Sequence, residues 1–163
     1  MLKLDEILRL VQKPARYTGG EVNAVVKSKD DVQIRYAFCF PDLYEIGMSH
    51  LGMKILYHLA NSREDTWCER VFAPAKDMEE LMRQNGIKLF GLESGDPISD
   101  FDLIGFTLQY ELCYTNVLNM LDLAGLPVYS KDREELLPVV VAGGPCVCNP
   151  EPLADFIDIF LPG

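Results

Sequence analysis

The sequence predicts an α/β fold: a flavodoxin-like (Rossmann-like) three-layer sandwich around a five-stranded, mainly parallel sheet, with an N-terminal helix and hairpin arm. Three observations predict it. Residues 32–40 (VQIRYAFCF), 101–108 (FDLIGFTL) and 138–142 (PVVVA) are β-prone and nearly continuous in apolar residues, as strands covered on both faces are. Stretches of helical periodicity stand between these runs, so strand and helix alternate. A chain of 163 residues with 48% hydrophobic residues can bury one contiguous core.

The elements follow in order. Residues 2–11 place Leu2, Leu4, Ile7, Leu8, Leu10 and Val11 at near-helical spacing, which predicts a short amphipathic helix that Pro14 ends. Residues 21–27 (EVNAVVK) and 32–38 are two β-prone runs around the turn formers Ser28 to Asp31, which predicts a hairpin whose second arm runs into the core. Residues 49–60 carry Leu51, Ile55, Leu56 and Leu59 on one side, with Ser49 as N-cap. Residues 67–72 read as a strand. Residues 76–84 read as a helix with Met78, Leu81 and Met82 inward and Gly86 just past its end. Residues 88–92 suggest a short extra strand, and 115–124 a helix closed by Gly125 and Pro127. Residues 156–161 (FIDIFL) supply the last strand. The charged stretch 131–135 reads as a solvated loop.

Charge and composition exclude several functions. Fifteen Lys+Arg against 25 Asp+Glu leave a net charge of −10, which repels phosphate backbones and anionic membrane surfaces, so nucleic acid and membrane are not expected partners. The N-terminus mixes acids and bases into its apolar stretch and offers no small-residue cleavage site, and no window reaches eighteen charge-free apolar residues. A cytoplasmic location is expected. Five scattered cysteines, an odd number, suit reduced thiols rather than a disulfide framework.

In an open parallel sheet, ligands sit outside the carboxyl ends of the strands, where the winding reverses. Three loops therefore matter: 41–47 (PDLYEIG), 107–111 (TLQYE) and 143–150 (GGPCVCNP). Neither G-x-x-x-x-G-K-[ST] nor G-x-G-x-x-G is present, which removes the P-loop and the dinucleotide fingerprint. Asp42 and Glu45 in the first loop would repel the phosphate of a flavin. A phospho-receiver would need an aspartate where Thr107 stands and a lysine near Pro162.

What remains is Asp42-x-Tyr44-x-x-Gly47, then Thr107-x-Gln109, then Gly143-Gly144. Together with FPDLYEIGMSHLGMKILYHL, RVFAPAKDMEEL, GFTLQYELCYTNVLNMLDLAGLP and VVVAGGPCVCNPEPLADFID, this resembles the cobalamin-binding-like domain that precedes the barrel in a group of radical SAM iron–sulfur proteins. The likeness runs from about Arg16 to the end of the chain. The resemblance implies a division into an N-terminal helix and arm (1–30) and a cobalamin-binding-like α/β domain (31–163) that stops short of a radical SAM barrel. It also implies a protein whose further chain carries a 4Fe–4S cluster and S-adenosylmethionine, because C-x-x-x-C-x-x-C is absent here.

The family pattern is D-x-H-x-x-G, S-x-L, G-G. Its histidine ligates cobalt and its aspartate orients that ring. Tyr44 stands in the histidine's place, and a phenol with a pKa of about 10 is a poor axial ligand at neutral pH. Thr107 keeps the serine's hydroxyl, Gln109 replaces the leucine, and Gly143 and Gly144 keep the bare backbone against which a nucleotide tail would lie. The implied site is thus a degenerate one for cobalamin, without a lower histidine. The domain would cover the catalytic barrel of the same polypeptide or contribute to substrate or cofactor binding there, with no catalysis of its own. Plainer readings stand beside this one. Asp42 and Gly47 suit a simple turn into a helix, Tyr44 a pocket aromatic, and Gly143-Gly144 a tight loop. His50 and His58, eight apart, read as structural and directed away from the loop, and Cys146-x-Cys148 lacks the second pair a metal wants. A stand-alone α/β interaction domain, forming a homo-oligomer through an exposed sheet edge, or a small-ligand sensor, remains the alternative.

Overall fold

Strand order fixes where a ligand can sit, and it is the order expected of a flavodoxin-like sheet. The computed structural model describes residues 2–162. Its five strands, β1 (Ile34–Phe40), β2 (Thr66–Phe72), β3 (Leu103–Thr107), β4 (Val139–Gly143) and β5 (Ile159–Leu161), are all parallel and run β2-β1-β3-β4-β5. The winding therefore reverses between β1 and β3. Helices α1 (Leu4–Ile7), α2 (Tyr44–Ser49), α3 (Leu51–Asn61), α4 (Lys76–Asn85) and α5 (Tyr114–Leu123) complete the set.

Side chains alternate across the sheet and define two packing faces. Ala37, Cys39, Ile104, Phe106, Val140 and Ala142 meet Met78 and Met82 of α4 and Val117, Met120 and Leu121 of α5. On the other face Phe38, Phe40, Cys68 and Phe72 meet Met53 and Tyr57 of α3. Helix α4 ends where expected: Gly86 adopts φ +65° and so can close it. Two charged neighbours on β2 part to opposite faces. Glu69 is fully buried and pairs with Arg35 at 2.5 Å, while Arg70 pairs with Glu93 at 2.6 Å.

Several local expectations are corrected. The hairpin does not form: residues 21–27 make no strand, because β1 is central and both its edges are taken by β2 and β3. The arm lies instead along β2 and α3. The Val25 N–H donates to the Tyr57 hydroxyl (2.8 Å), Trp67 Nε1 donates to the Val25 carbonyl (2.9 Å), and Lys27 Nζ reaches the carbonyls of Asn61, Arg63 and Thr66. The first helix is a single turn, which buries Ile7, with Val11 buried beyond its end. Residues 88–92 contribute only one bridge, Phe90 to Pro97. The helix expected over 49–60 is α3, preceded by the separate helix α2: His50 adopts an extended conformation between them and, not Ser49, caps α3 by accepting from Met53 N–H at 3.1 Å.

The stretch 131–135 is not wholly solvated either. The Arg133 side chain is only 6% exposed and donates to the carbonyls of Pro127 and Phe156 and to Asp158, tying the chain before β4 to the start of β5.

Candidate functional site at the strand ends

The residues singled out in the sequence fall into three neighbourhoods. At the switch point, Asp42 follows β1 and Tyr110 follows β3. The Tyr110 hydroxyl donates to Asp42 Oδ2, and Asp42 Oδ1 accepts from Leu43 N–H at 2.7 Å. Asn116 of α5 donates to the Pro41 carbonyl at 2.9 Å and holds the same loop down. Burial, together with the adjacent Asp42 carboxylate, pushes the Tyr110 phenol up to about 12. Asp42 bonds Tyr110 rather than Tyr44.

Tyr44 and Gly47 belong to the second neighbourhood. Tyr44 opens α2, sets its ring edge-on to Phe72 with centroids 5.4 Å apart, and donates its hydroxyl to Glu21 Oε1 at 3.1 Å. Burial and the Glu21 carboxylate raise its pKa above the ordinary tyrosine value. Gly47 is a packing glycine, since a Cβ there would lie 2.3 Å from the Phe72 ring. Gly47 lines a cavity of about 690 Å³ under the arm, with Glu21, Val25, Met48, Lys54, Tyr57 and Arg70 around it, and Tyr44 reaches it only through its bond to Glu21. Arg70 is nearly buried there. It bonds Glu93 and Glu21 and lies over the Tyr57 ring at 4.5 Å. Burial raises the Glu93 pKa despite Arg70.

Thr107, Gln109, Gly143 and Gly144 come together in the third neighbourhood, a cavity of about 240 Å³ at the carboxyl ends of β1, β3 and β4. Tyr36, Phe38, Gly105, Val141, Leu56 and Leu161 supply apolar walls. Gln109 Nε2 donates to Thr107 Oγ1 at 2.6 Å, so the two polar side chains form one pair at the mouth. The two glycines differ in cause. Gly144 has φ +101°, and a Cβ would meet the Leu108 carbonyl oxygen at 2.7 Å, so the backbone itself demands glycine. Gly143 is a β residue, and a Cβ there would meet nothing nearer than the Leu161 carbonyl oxygen at 3.9 Å. Folding does not require glycine at 143; its effect is to leave the cavity open.

His50 is the residue that sequence reasoning placed wrongly. It lines this same cavity, next to Gly52, its ring 5.3 Å from that of Phe40. Because Nδ1 accepts the cap hydrogen bond, the neutral ring carries its proton on Nε2. The break between α2 and α3 could have found it, had Ser49 not been the better cap by residue type. Arg70 and Glu93 were also missed. For Arg70 the available signal was the charge inside the otherwise apolar run TWCERVF; Glu93, outside that run, had none.

Comparison with known proteins now adds the family. Residues 52–163 match the family described as radical SAM proteins, N-terminal. The chain belongs to that family. An uncharacterized protein of Methanocaldococcus jannaschii is 30% identical over 131 residues, which cover 78% of this chain and 23% of the relative. This family domain thus spans under a quarter of that relative's length. Among the described residues no group of three or more His, Cys, Asp and Glu is placed to hold a metal ion, and no helix is long and apolar enough to cross a membrane.

Against the cobalamin pattern that the sequence resembles, the residues for the nucleotide tail fit: a hydroxyl at Thr107, a backbone left bare at Gly143, and an apolar-walled cavity between them. The metal half does not fit. Tyr44 turns its hydroxyl to Glu21, and Asp42 spends its carboxylate on Tyr110 and Leu43.

Proposed function

We propose that this chain is the N-terminal, degenerate cobalamin-binding-like domain of a cytoplasmic radical SAM iron–sulfur protein. In this reading the barrel of the same polypeptide carries the cluster and S-adenosylmethionine. The strand-end cavity faces that barrel and receives a flat, largely apolar group of a cofactor or substrate. Bare backbone at Gly143 is the observation that carries the reading, since neither φ nor packing asks for glycine there. A ligand group lying against β4 would.

Within that cavity each residue has a task. Thr107 and Gln109 offer a hydroxyl and an amide to a polar edge at the mouth, and the His50 Nε2 proton is a further donor. Tyr36, Phe38 and Val141 exclude water from the ring of the ligand. The domain supplies no axial ligand from Tyr44, so binding rests on these contacts.

Titration with hydroxocobalamin, followed in the visible spectrum, tests the reading. Weak binding that Gly143→Val abolishes, with no spectrum of imidazole-ligated cobalt, is expected. Tight binding with such a spectrum would contradict it, and its loss in His50→Ala would identify the ligand.

A further inference from the structure

We infer that the open face of the sheet between α3 and β5 is the seat of an apolar helix supplied by the polypeptide that follows this domain. The inference rests on the reading above that the chain is the N-terminal unit of a longer radical SAM protein.

Handedness leaves the β5 end of this face without a covering helix. Right-handed connections carry α4, α5 and the turns between β4 and β5 to one face of the sheet, and only the connection from β1 to β2 carries helices, α2 and α3, to the other. By register, Gly105 and Thr107 of β3, Val139, Val141 and Gly143 of β4, and Ile159 and Leu161 of β5 share that second face. Parallel strands are normally covered on both sides. Here Thr107 and Val141 are buried by their neighbours, whereas Ile159 is 48% and Leu161 56% exposed, so the open part of the face is at β5.

Helix α3 borders the gap with apolar side chains turned outward. Its sheet side is Met53 and Tyr57, yet Leu51, Ile55, Leu56 and Leu59 are 68%, 56%, 49% and 61% exposed. A helix apolar nearly all round is one that is buried nearly all round. Single exposed leucines need no explanation, whereas four large apolar side chains exposed on one helix, with Leu56 lining the groove opposite Leu161, do. Lys54 and His58 lie toward the arm-side cavity, so the groove side of α3 is free of charge. That selects an apolar partner over a charged one.

Two facts choose the occupant. The relative from Methanocaldococcus jannaschii is more than four times the length of the matched segment, so polypeptide is available in this family. Leu161, at the end of β5, itself lines the groove, so a segment following it starts at the seat. A segment turning back from a parallel edge strand must lie on one face of the sheet, and the other face is filled. Once seated, the helix converts the open groove into a chamber whose remaining mouth is at Thr107, Gln109 and His50.

Backbone amide exchange compares this 163-residue chain with the full-length radical SAM protein prepared without oxygen. At least tenfold slower exchange across α3 and β5 in the longer protein is expected, with the gain lost in Leu56→Glu/Ile159→Glu. The double variant should leave the circular dichroism of the short chain unchanged, because both positions are exposed. Equal exchange in the two lengths overturns the seat. So does a short chain that dimerises through this face, if the full-length protein remains a dimer that the double variant breaks, since a second copy would then be the cover. A full-length protein that lacks a cluster while α3 is slowed counts against the radical SAM reading and supports the seat.

Discussion

Tyr110 donates its phenolic hydrogen to the Asp42 carboxylate across the switch point, joining the loop after β1 to the loop after β3. This bond lies at the place where open α/β sheets bind ligands, but it serves the scaffold: it fixes the separation of the two strand ends. Tyr110→Phe leaves the partly buried carboxylate with one donor fewer, and a loss of about 1–3 kcal/mol is expected from chemical denaturation. A loss below a few tenths would mean that water replaces the phenol without cost.

Acid should loosen the tie between the N-terminal segment and α2. Arg16 and Lys13 bond Glu45, and the Arg16 hydrogen bond does most to hold the carboxyl down to about 2 from an ordinary 4.5. A carboxyl lowered by folding lends stability above its unfolded value and withdraws it as pH falls through the folded one. The thermal midpoint should therefore fall between about pH 4.5 and pH 2 more steeply in the parent than in Glu45→Gln. Parallel curves would show that the exposed ion pairs contribute nothing.

Gly143 and Gly144 should separate cleanly. Gly143→Ala meets only ordinary contact and restricts the unfolded chain, so stability should be unchanged or higher by about 0.4–1 kcal/mol, while ligand binding falls. Gly144→Ala must place a Cβ against the Leu108 carbonyl at a positive φ, and should cost about 1–3 kcal/mol. Denaturation midpoints of the two variants provide the check.

The two sides of α3 make a similar contrast. Met53→Ala removes a side chain that is 2% exposed and should cost about 2–5 kcal/mol. Leu59→Ala, on the outward side, should stay within about 0.5 kcal/mol in the 163-residue chain. Comparable losses would mean that the outward side is already covered in solution.

Much of this architecture is legible in the sequence because parallel strands and their helices announce themselves by apolar run and period. The runs at β1, β3 and β4, the ending of α4 at Gly86, and the strand–helix order all follow from such local signals. The arm misleads because EVNAVVK, ending at Lys27, is β-prone while its place beside β1 is taken by β2, a strand that begins only at Thr66. His50 misleads because the break between α2 and α3 is made by one extended residue inside a continuous helical pattern. At the site, Thr107, Gln109, Gly143 and Gly144 can be grouped from sequence, since each follows a strand. Asp42 and Tyr44, two residues apart, cannot be seen to part company, because their partners Tyr110 and Glu21 lie far along the chain in opposite directions.

The outer margin of β2 is finished by side chains rather than by another strand. Asn61 bonds both the N–H and the carbonyl of Cys68, Glu93 accepts from Arg70 N–H, Leu92 N–H donates to the Arg70 carbonyl, and Lys27 caps the Thr66 carbonyl. Every second residue along that margin is therefore already served, and a foreign strand finds nothing to pair with. At the opposite margin, β5 presents half-exposed Ile159 and Leu161. The sheet is a one-ended ribbon: growth is blocked at β2, so strand-to-strand association, whether in assembly or in aggregation of the protein at high concentration, has β5 as its place to begin.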